Sequence, residues 1–183
     1  MFDALFTTTT EYKKLSHALS GKGACALFGL PASGRAQVYA ALCRQLDKPL
    51  CIVTPGEAEA TRFAADLNTL GIPAAVFPAR DYVLRPIEGT AREYEYRRLA
   101  VLGELVGGRL RAVAVPAEAL TQFTTPKEDF CANTRTLHAG DTLLRDDLLA
   151  ALFGAGYTRR AQVDGPGQFS VRGDIVDLSL IHI

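Results

Sequence analysis

The sequence predicts an α/β fold, a parallel sheet with flanking helices, followed by a smaller α+β domain. Short apolar runs at 25–28, 50–53, 74–77 and 110–115 alternate with segments of helical periodicity. Such alternation implies crossover connections and a sheet covered on both faces. The alternation ends at Thr124-Thr125-Pro126, after which a helix and closely spaced strand-like runs follow. The expected domains are therefore 1–125 and 126–183.

The elements follow in order. Residues 11–19 form a short helix with Tyr12, Leu15 and Leu19 on one face, ended by Gly21 to Gly23. The run 25–28 reads as a buried strand. Ser33 caps a helix over 34–46, where Val38, Tyr39, Leu42 and Leu46 stand at helical spacing. The continuous apolar run 50–53 predicts a fully buried strand. Thr54 then caps a helix with Pro55 at its first position and Glu57 closing a capping box. Ala60, Phe63, Ala64, Leu67 and Leu70 face inward, and Gly71 stops that helix. A third strand, 74–77, is closed by Pro78, and 81–90 is irregular. A long helix over 91–106 carries Leu99, Val101, Leu102 and Leu105 and ends at Gly107-Gly108. A fourth strand follows at 110–115, and Pro116 begins a short helix.

In the second domain, residues 134–137 predict a strand and 145–153 a helix that turns Leu148, Leu149, Leu152 and Phe153 inward. Asp146 and Asp147 stand in its first turn, where the helix dipole favours them, so they do not read as a catalytic pair. Gly154 and Gly156 stop the helix. A strand at 160–163, a turn at Asp164-Gly165-Pro166-Gly167 and a strand at 169–178 predict an antiparallel hairpin. The apolar end Ser179-Leu180-Ile181-His182-Ile183 has no exit turn, which suggests a truncated fragment.

Composition bounds the function. The chain has 183 residues with 20 basic and 20 acidic side chains, so no overall charge draws it to nucleic acid or a membrane. No apolar run approaches the roughly 20 residues that span a bilayer, and the N-terminus lacks signal-peptide character. Cys25, Cys43, Cys51 and Cys131 form no C-x-x-C pair. Cys25 and Cys51 lie in apolar runs, so buried free thiols in a reducing cytoplasm are expected and a metal site is not. His17, His138 and His182 stand apart from any partner at metal or catalytic spacing. Arg92, Arg97 and Arg98, interleaved with Glu93 and Glu95, read as a solvated helix face. No nucleophile–base constellation stands out.

One stretch carries the grammar of a nucleotide site. An apolar run leads into Gly29-Leu30-Pro31-Ala32-Ser33-Gly34, and a helix opens behind it. The spacing of Gly29 and Gly34 is that of a phosphate loop, G-x-x-x-x-G-K-[ST]. The chemical positions depart from it. Arg35 stands for the phosphate-binding lysine, and Ala36 for the hydroxyl that would hold magnesium. The loop therefore reads as vestigial, with no nucleotide expected, or as an ordinary strand–turn–helix.

Four stretches in order resemble the N-terminal region of the bacterial transcription-repair coupling factors (Mfd) and their relative UvrB. They are the degraded phosphate loop, Val53-Thr54-Pro55-Gly56-Glu57-Ala58-Glu59-Ala60 with Phe77-Pro78-Ala79-Arg80-Asp81, Arg98-Leu99-Ala100-Val101-Leu102, and Gly156-Tyr157 followed by Gly167-Gln168-Phe169-Ser170-Val171-Arg172-Gly173-Asp174-Ile175-Val176-Asp177-Leu178. The resemblance spans about residues 20–178. It implies a degenerate RecA-like first domain, like the first domain of UvrB, and a small domain that binds UvrA, the damage-recognition ATPase of nucleotide excision repair. Arg172 matches the arginine of the family's V-R-G segment and is the expected UvrA contact. Phe169 and Gly173 are secondary candidates, Phe169 the weaker because a regular strand turns it away from Arg172. Ser170 stands where UvrB has a second arginine. UvrB keeps a working phosphate loop and a long aromatic hairpin, whereas 81–90 is short, so the resemblance favours the coupling factors. It implies a non-catalytic module of a cytoplasmic ATP-dependent DNA translocase that displaces stalled RNA polymerase, with ATP and magnesium held by a motor absent here. In that family the module packs on the protein's own body and hides the UvrA surface. The alternative is a UvrB-like or kinase-like nucleotide hydrolase with Arg35 in place of lysine.

Overall fold

The computed structural model describes residues 7–21, 24–46, 48–80 and 91–179, the side chains at 32, 33 and 91–93 excepted. The expectations for 81–90 and for the apolar end at 180–183 lie outside the described residues, as do the side chains of Ser33, Arg92 and Glu93. The chain divides into two compact units, Met1–Gln122 and Phe123–Ile183.

In the first unit, α1 (Thr10–Ser20) starts on Thr9, whose hydroxyl accepts the Tyr12 amide at 3.3 Å. The helix α2 (Ala32–Gln45) is followed by β1 (Leu50–Thr54), α3 (Glu57–Thr69), β2 (Ala74–Val76), α4 (Ala91–Val106), β3 (Ala112–Pro116) and α5 (Ala117–Leu120). The three strands form one parallel sheet in the order β1-β3-β2, with Leu50 opposite Ala112 and Ala74 also opposite Ala112.

Small side chains let two helices approach one face of that sheet. Ala36, Ala40 and Cys43 of α2 and Ala60, Phe63, Ala64 and Leu67 of α3 bury against Ile52, Ala112 and Ala114. On the other face, Val101 and Leu105 of α4 pack with Ala75, Phe77, Val113 and Val115. Arg111 secures the far end of α2, its Nη2 donating to the carbonyls of Cys43 and Leu46, both at 2.6 Å. A cation at a helix C-terminus satisfies carbonyls that the helix leaves unpaired.

Three helices end in one geometry. After α3, Gly71 has φ +75°. Its amide donates to Asn68 and that of Ile72 to Leu67, each at 2.9 Å. The same pair of bonds closes α4 at Gly108 and the later helix α7 (Arg145–Gly154) at Gly156. This is the Schellman exit, which needs a left-handed residue and therefore favours glycine.

Several expectations are corrected in this unit. The run 25–28 is not a strand, and Leu27 and Phe28 are exposed, Phe28 by 89%. A strand requires a ladder partner, and the three described strands here pair only with one another. Ser33 is not the cap of α2, which starts earlier with Pro31 at the N-cap. Thr54 does not cap α3 either, because the N-cap is Gly56 and the Thr54 hydroxyl donates to the Gly56 carbonyl at 2.9 Å. The strand β1 is buried on one side only. Cys51 and Val53 are exposed because the cluster beneath α4 reaches β2 and β3 but not β1.

The cysteines are corrected with it. Cys43 is buried, whereas Cys25, Cys51 and Cys131 are exposed, and all four are free thiols. Burial pushes the Cys43 thiol up, with Arg111 and Arg44 pulling it back in part. A thiol-specific reagent at neutral pH is expected to label Cys25, Cys51 and Cys131 in the native protein and Cys43 only on unfolding. Mass spectrometry of the labelled peptides checks this, and equal labelling of Cys43 would contradict the packing of α2.

Arg98 also departs from its expectation as part of a solvated face. It is 4% exposed. One guanidinium nitrogen, Nη1, donates to the Pro78 carbonyl at 2.7 Å and to Gln122 Oε1 at 3.2 Å. The guanidinium also lies 4.1 Å from the centre of the Phe77 ring. Nearby, Arg80 pairs with Glu95 at 3.1 Å and exchanges two hydrogen bonds with the Gln122 side chain. Two separate stretches of the resemblance, around Pro78 and around Arg98, thus meet in one buried polar cluster. Arg97 keeps the expected exposed position beside the Tyr94 ring.

The second unit contains α6 (Lys127–Ala132), α7 (Arg145–Gly154), β4 (Thr158–Arg159), β5 (Gln168–Arg172) and β6 (Ile175–Leu178). The strands form a second small sheet in the order β4-β5-β6. Residues 134–137 are irregular and exposed rather than a strand. Helix α6 was not anticipated, although Pro126 ahead of it and Glu128 and Asp129 in its first turn are start signals. No helix among the described residues is long and apolar enough to cross a membrane.

Candidate partner-binding site

Strand β5 divides its side chains by alternation. Phe169 points inward and is fully buried, its ring meeting that of Phe153 edge-on at 5.2 Å. Leu152 of α7 is buried in the same unit and Leu148 and Leu149 are half-buried, whereas Phe153, expected to face inward, is exposed by 56% despite its edge-on contact with Phe169. Ser170 and Arg172 share the opposite face. Ser170 is buried and its hydroxyl donates to the Ala161 carbonyl at 2.9 Å, fixing the loop that precedes β5.

The hairpin differs from its expected form. The expected strand at 160–163 is irregular, and the turn at 164–167, expected to join antiparallel strands, instead follows β4, which runs parallel to β5 with Thr158 opposite Gln168. That turn is part of a loop drawn closed by the Asp164 amide, which donates to Gln168 Oε1 at 3.0 Å. The antiparallel hairpin lies one strand later, between β5 and β6, with Phe169 opposite Leu178 and Arg172 opposite Ile175. Gly173 and Asp174 form its two-residue turn, and Gly173 has φ +62°. A glycine at the first central position is the signature of a type II′ hairpin turn, and Gly173-Asp174 between two alternating runs was the signal for it.

This turn sets Arg172 at the tip of the hairpin with its side chain 71% exposed. Its Nη2 donates to Asp177 Oδ2 across the strand pair at 2.5 Å. A cavity of about 300 Å³ is bordered by Ala161, Gln162, Val163, Arg172 and Asp177. A Cβ built on Gly173 would meet open space, so backbone there is accessible to a partner. The expected set is therefore split. Arg172 and Gly173 stand together at the exposed tip, while Phe169 holds the core and presents no surface for contact. Asp177 is the residue that sequence reasoning missed, because its relation to Arg172 follows from the hairpin register.

The Gly29–Gly34 loop, expected to be a degraded phosphate loop, lies in the other unit. Gly29 bends with φ +78°, and Gly34 falls inside the first turn of α2, where its amide donates to the Pro31 carbonyl at 2.9 Å. Arg35 pairs with Glu59 of α3 at 3.9 Å. Ala36 is buried against the sheet, so its side chain serves packing. Among the described residues no group of three or more His, Cys, Asp or Glu side chains is placed to hold a metal ion.

Residues 136–183 match the sequence model of the UvrB interaction domain. That match falls on the unit that carries the hairpin and Arg172. The chain as a whole is 29% identical over 154 residues to a transcription-repair-coupling factor of Bacillus subtilis, covering 83% of this chain and 13% of that protein. It is 26% identical over 152 residues to the transcription-repair-coupling factor of Staphylococcus aureus strain USA300, covering 82% and 13% respectively. It is also 27% identical over 171 residues to UvrABC system protein B of Chlorobium limicola, covering 85% of this chain and 25% of that protein. The chain thus spans a small part of the length of the curated relatives it matches. The expected likeness to coupling factors and UvrB is borne out by these comparisons.

Proposed function

We propose that this chain is the UvrA-recruiting segment of a transcription-repair coupling factor. The observation that carries the reading is the UvrB interaction domain match at 136–183, on the unit whose hairpin presents Arg172. The similarity to two coupling factors over more than four-fifths of the chain extends it beyond that domain. In this reading the small domain, 126–183, contacts UvrA through Arg172, with Gly173 giving the partner's backbone room. The first domain, 1–125, is a degenerate RecA-like scaffold. The parent protein is a cytoplasmic ATP-dependent translocase on duplex DNA that displaces stalled RNA polymerase, and its ATP and magnesium sites lie in a motor outside this chain. The alternative of a UvrB-like hydrolase has the Chlorobium limicola likeness behind it, but Arg35 and Ala36 stand against it.

The direct test is binding of purified UvrA to the immobilised chain by surface resonance. Saturable binding in the micromolar range or tighter is expected, and its absence would remove the reading.

The segment itself is proposed to be non-catalytic and to take no nucleotide. Arg35 stands where a phosphate loop has its lysine, and Ala36 is buried and has no oxygen to offer a hard cation. Calorimetric titration with magnesium-ATP is expected to give no heat beyond dilution. Micromolar binding would favour the hydrolase reading, and Ala36→Thr with Arg35→Lys would then be the informative control.

A further inference from the structure

Arg172 and Asp177 lie on one face of the β5–β6 hairpin. The register sets Ser170 opposite Asp177 and Arg172 opposite Ile175, so the guanidinium reaches its carboxylate diagonally. Both side chains are open to solvent, Asp177 by 41%, and both border the cavity beside Ala161 and Val163. Ile175, directly across from Arg172, is an exposed apolar side chain at 63%. The platform beneath is fixed, because Ser170 is buried and bonded to the Ala161 carbonyl.

We propose that Asp177 is an internal stand-in for a partner carboxylate. It holds the Arg172 fork in place in the free protein, and an acidic side chain of the partner displaces it on binding while an apolar neighbour covers Ile175. This rests on the reading of Arg172 as the UvrA anchor. A guanidinium offers five donors in a planar fork suited to bidentate carboxylate recognition, and the bond to Asp177 engages Nη2. Exposed ion pairs are weak and readily exchanged. The same fork engaged bidentately and shielded from water by an interface binds more strongly. Asp177 is thus a positioning residue that orders Arg172 and also competes with the partner, so binding is weaker than the arginine alone would allow.

The test uses the whole chain in four forms: wild type, Asp177→Asn, Arg172→Ala and the double variant. Each is compared by circular dichroism and then titrated against UvrA by surface resonance. Asp177→Asn is expected to tighten binding by about 2- to 5-fold when Arg172 is present, the size of one exposed ion pair. It is expected to change nothing in the Arg172→Ala background. The Arg172 Nε–Hε signal in the NMR spectrum of the free chain should shift in Asp177→Asn, which reads the pair without any partner. Unchanged or weaker binding by Asp177→Asn overturns the proposal. So does an equal gain in both backgrounds, which would be a general loss of negative charge. Should Arg172→Ala itself bind as wild type, the anchor reading fails, a result distinct from one in which Arg172 matters and Asp177 does not.

Discussion

Arg172→Ala is expected to lower UvrA affinity by about 30-fold or more. The residue stands at the tip of a hairpin with its side chain exposed, and among the described residues it is held by Asp177, itself open to solvent, so the fold of the free unit depends little on it. In an interface its charge would be desolvated against a partner carboxylate. Truncating one member of such a pair leaves the other buried and unpaired, a loss of roughly 2–5 kcal/mol, and about 1.4 kcal/mol is tenfold in affinity. Arg160→Ala, in the loop of the same unit, is expected to cost far less, because a charge at the rim stays solvated and screened. Both variants must keep the wild-type circular dichroism for the comparison to count. Equal affinity of wild type and Arg172→Ala would take this residue out of the site.

Arg98→Ala is expected to be the most destabilising substitution of a charged residue in the first unit. The buried guanidinium ties α4 to the carbonyl after β2 and to Gln122, and it lies over Phe77. Its removal forfeits charge-assisted bonds and takes the Arg98 donor from the buried Pro78 carbonyl, while Gln122 Oε1 keeps the Arg80 amide, about 3 kcal/mol in all with the lost packing on Phe77. For a unit of this size that lowers Tm by on the order of 10 °C. Arg98→Lys keeps the charge but loses the fork, so it should fall between the two. Arg97→Ala, exposed one residue away, should stay within about 0.5 kcal/mol of wild type. Urea and thermal melts followed by circular dichroism measure all three. A melt of Arg98→Ala no lower than that of Arg97→Ala would show that the buried cluster contributes little.

The parts of the fold that are decided locally were legible in the sequence. Gly71, Gly108 and Gly156 end their helices because the Schellman exit needs a left-handed residue, and that requirement is met within six residues of chain. The strands at 50–54 and 112–116 were marked by short apolar runs, but they form because each finds the other as a parallel partner about sixty residues away. What depends on distant chain was not legible. Arg98 sits among mixed charges that resemble a solvated face, and its partners, Pro78 and Gln122, are 20 and 24 residues away. Cys51 and Val53 are as apolar as a buried strand should be, yet their exposure is decided by which strands α4 covers. The run 25–28 has strand composition but no described ladder partner.

At the site, the sequence placed Arg172 on a strand near a turn, but it put the turn on the wrong side. Asp164-Gly165-Pro166-Gly167 is the louder turn signal and drew the hairpin to itself. The quieter Gly173-Asp174 makes the actual reversal, and only that reversal brings Asp177 to Arg172. Phe169 was separable from Arg172 by strand alternation alone, and its complete burial against Phe153 follows from the packing of α7.

If the second unit recruits UvrA through its hairpin as proposed, its match to the UvrB interaction domain implies that it competes with UvrB for one surface of UvrA. The similarity of this chain to both coupling factors and UvrB makes competition its most direct test. UvrA carrying a fluorescent label is titrated with the chain alone and again in the presence of saturating UvrB. The account predicts saturable binding that UvrB abolishes, with Arg172→Ala weakened in the titration without UvrB. A chain that binds UvrA equally well with UvrB already in place, or that does not bind UvrA at all, would contradict it.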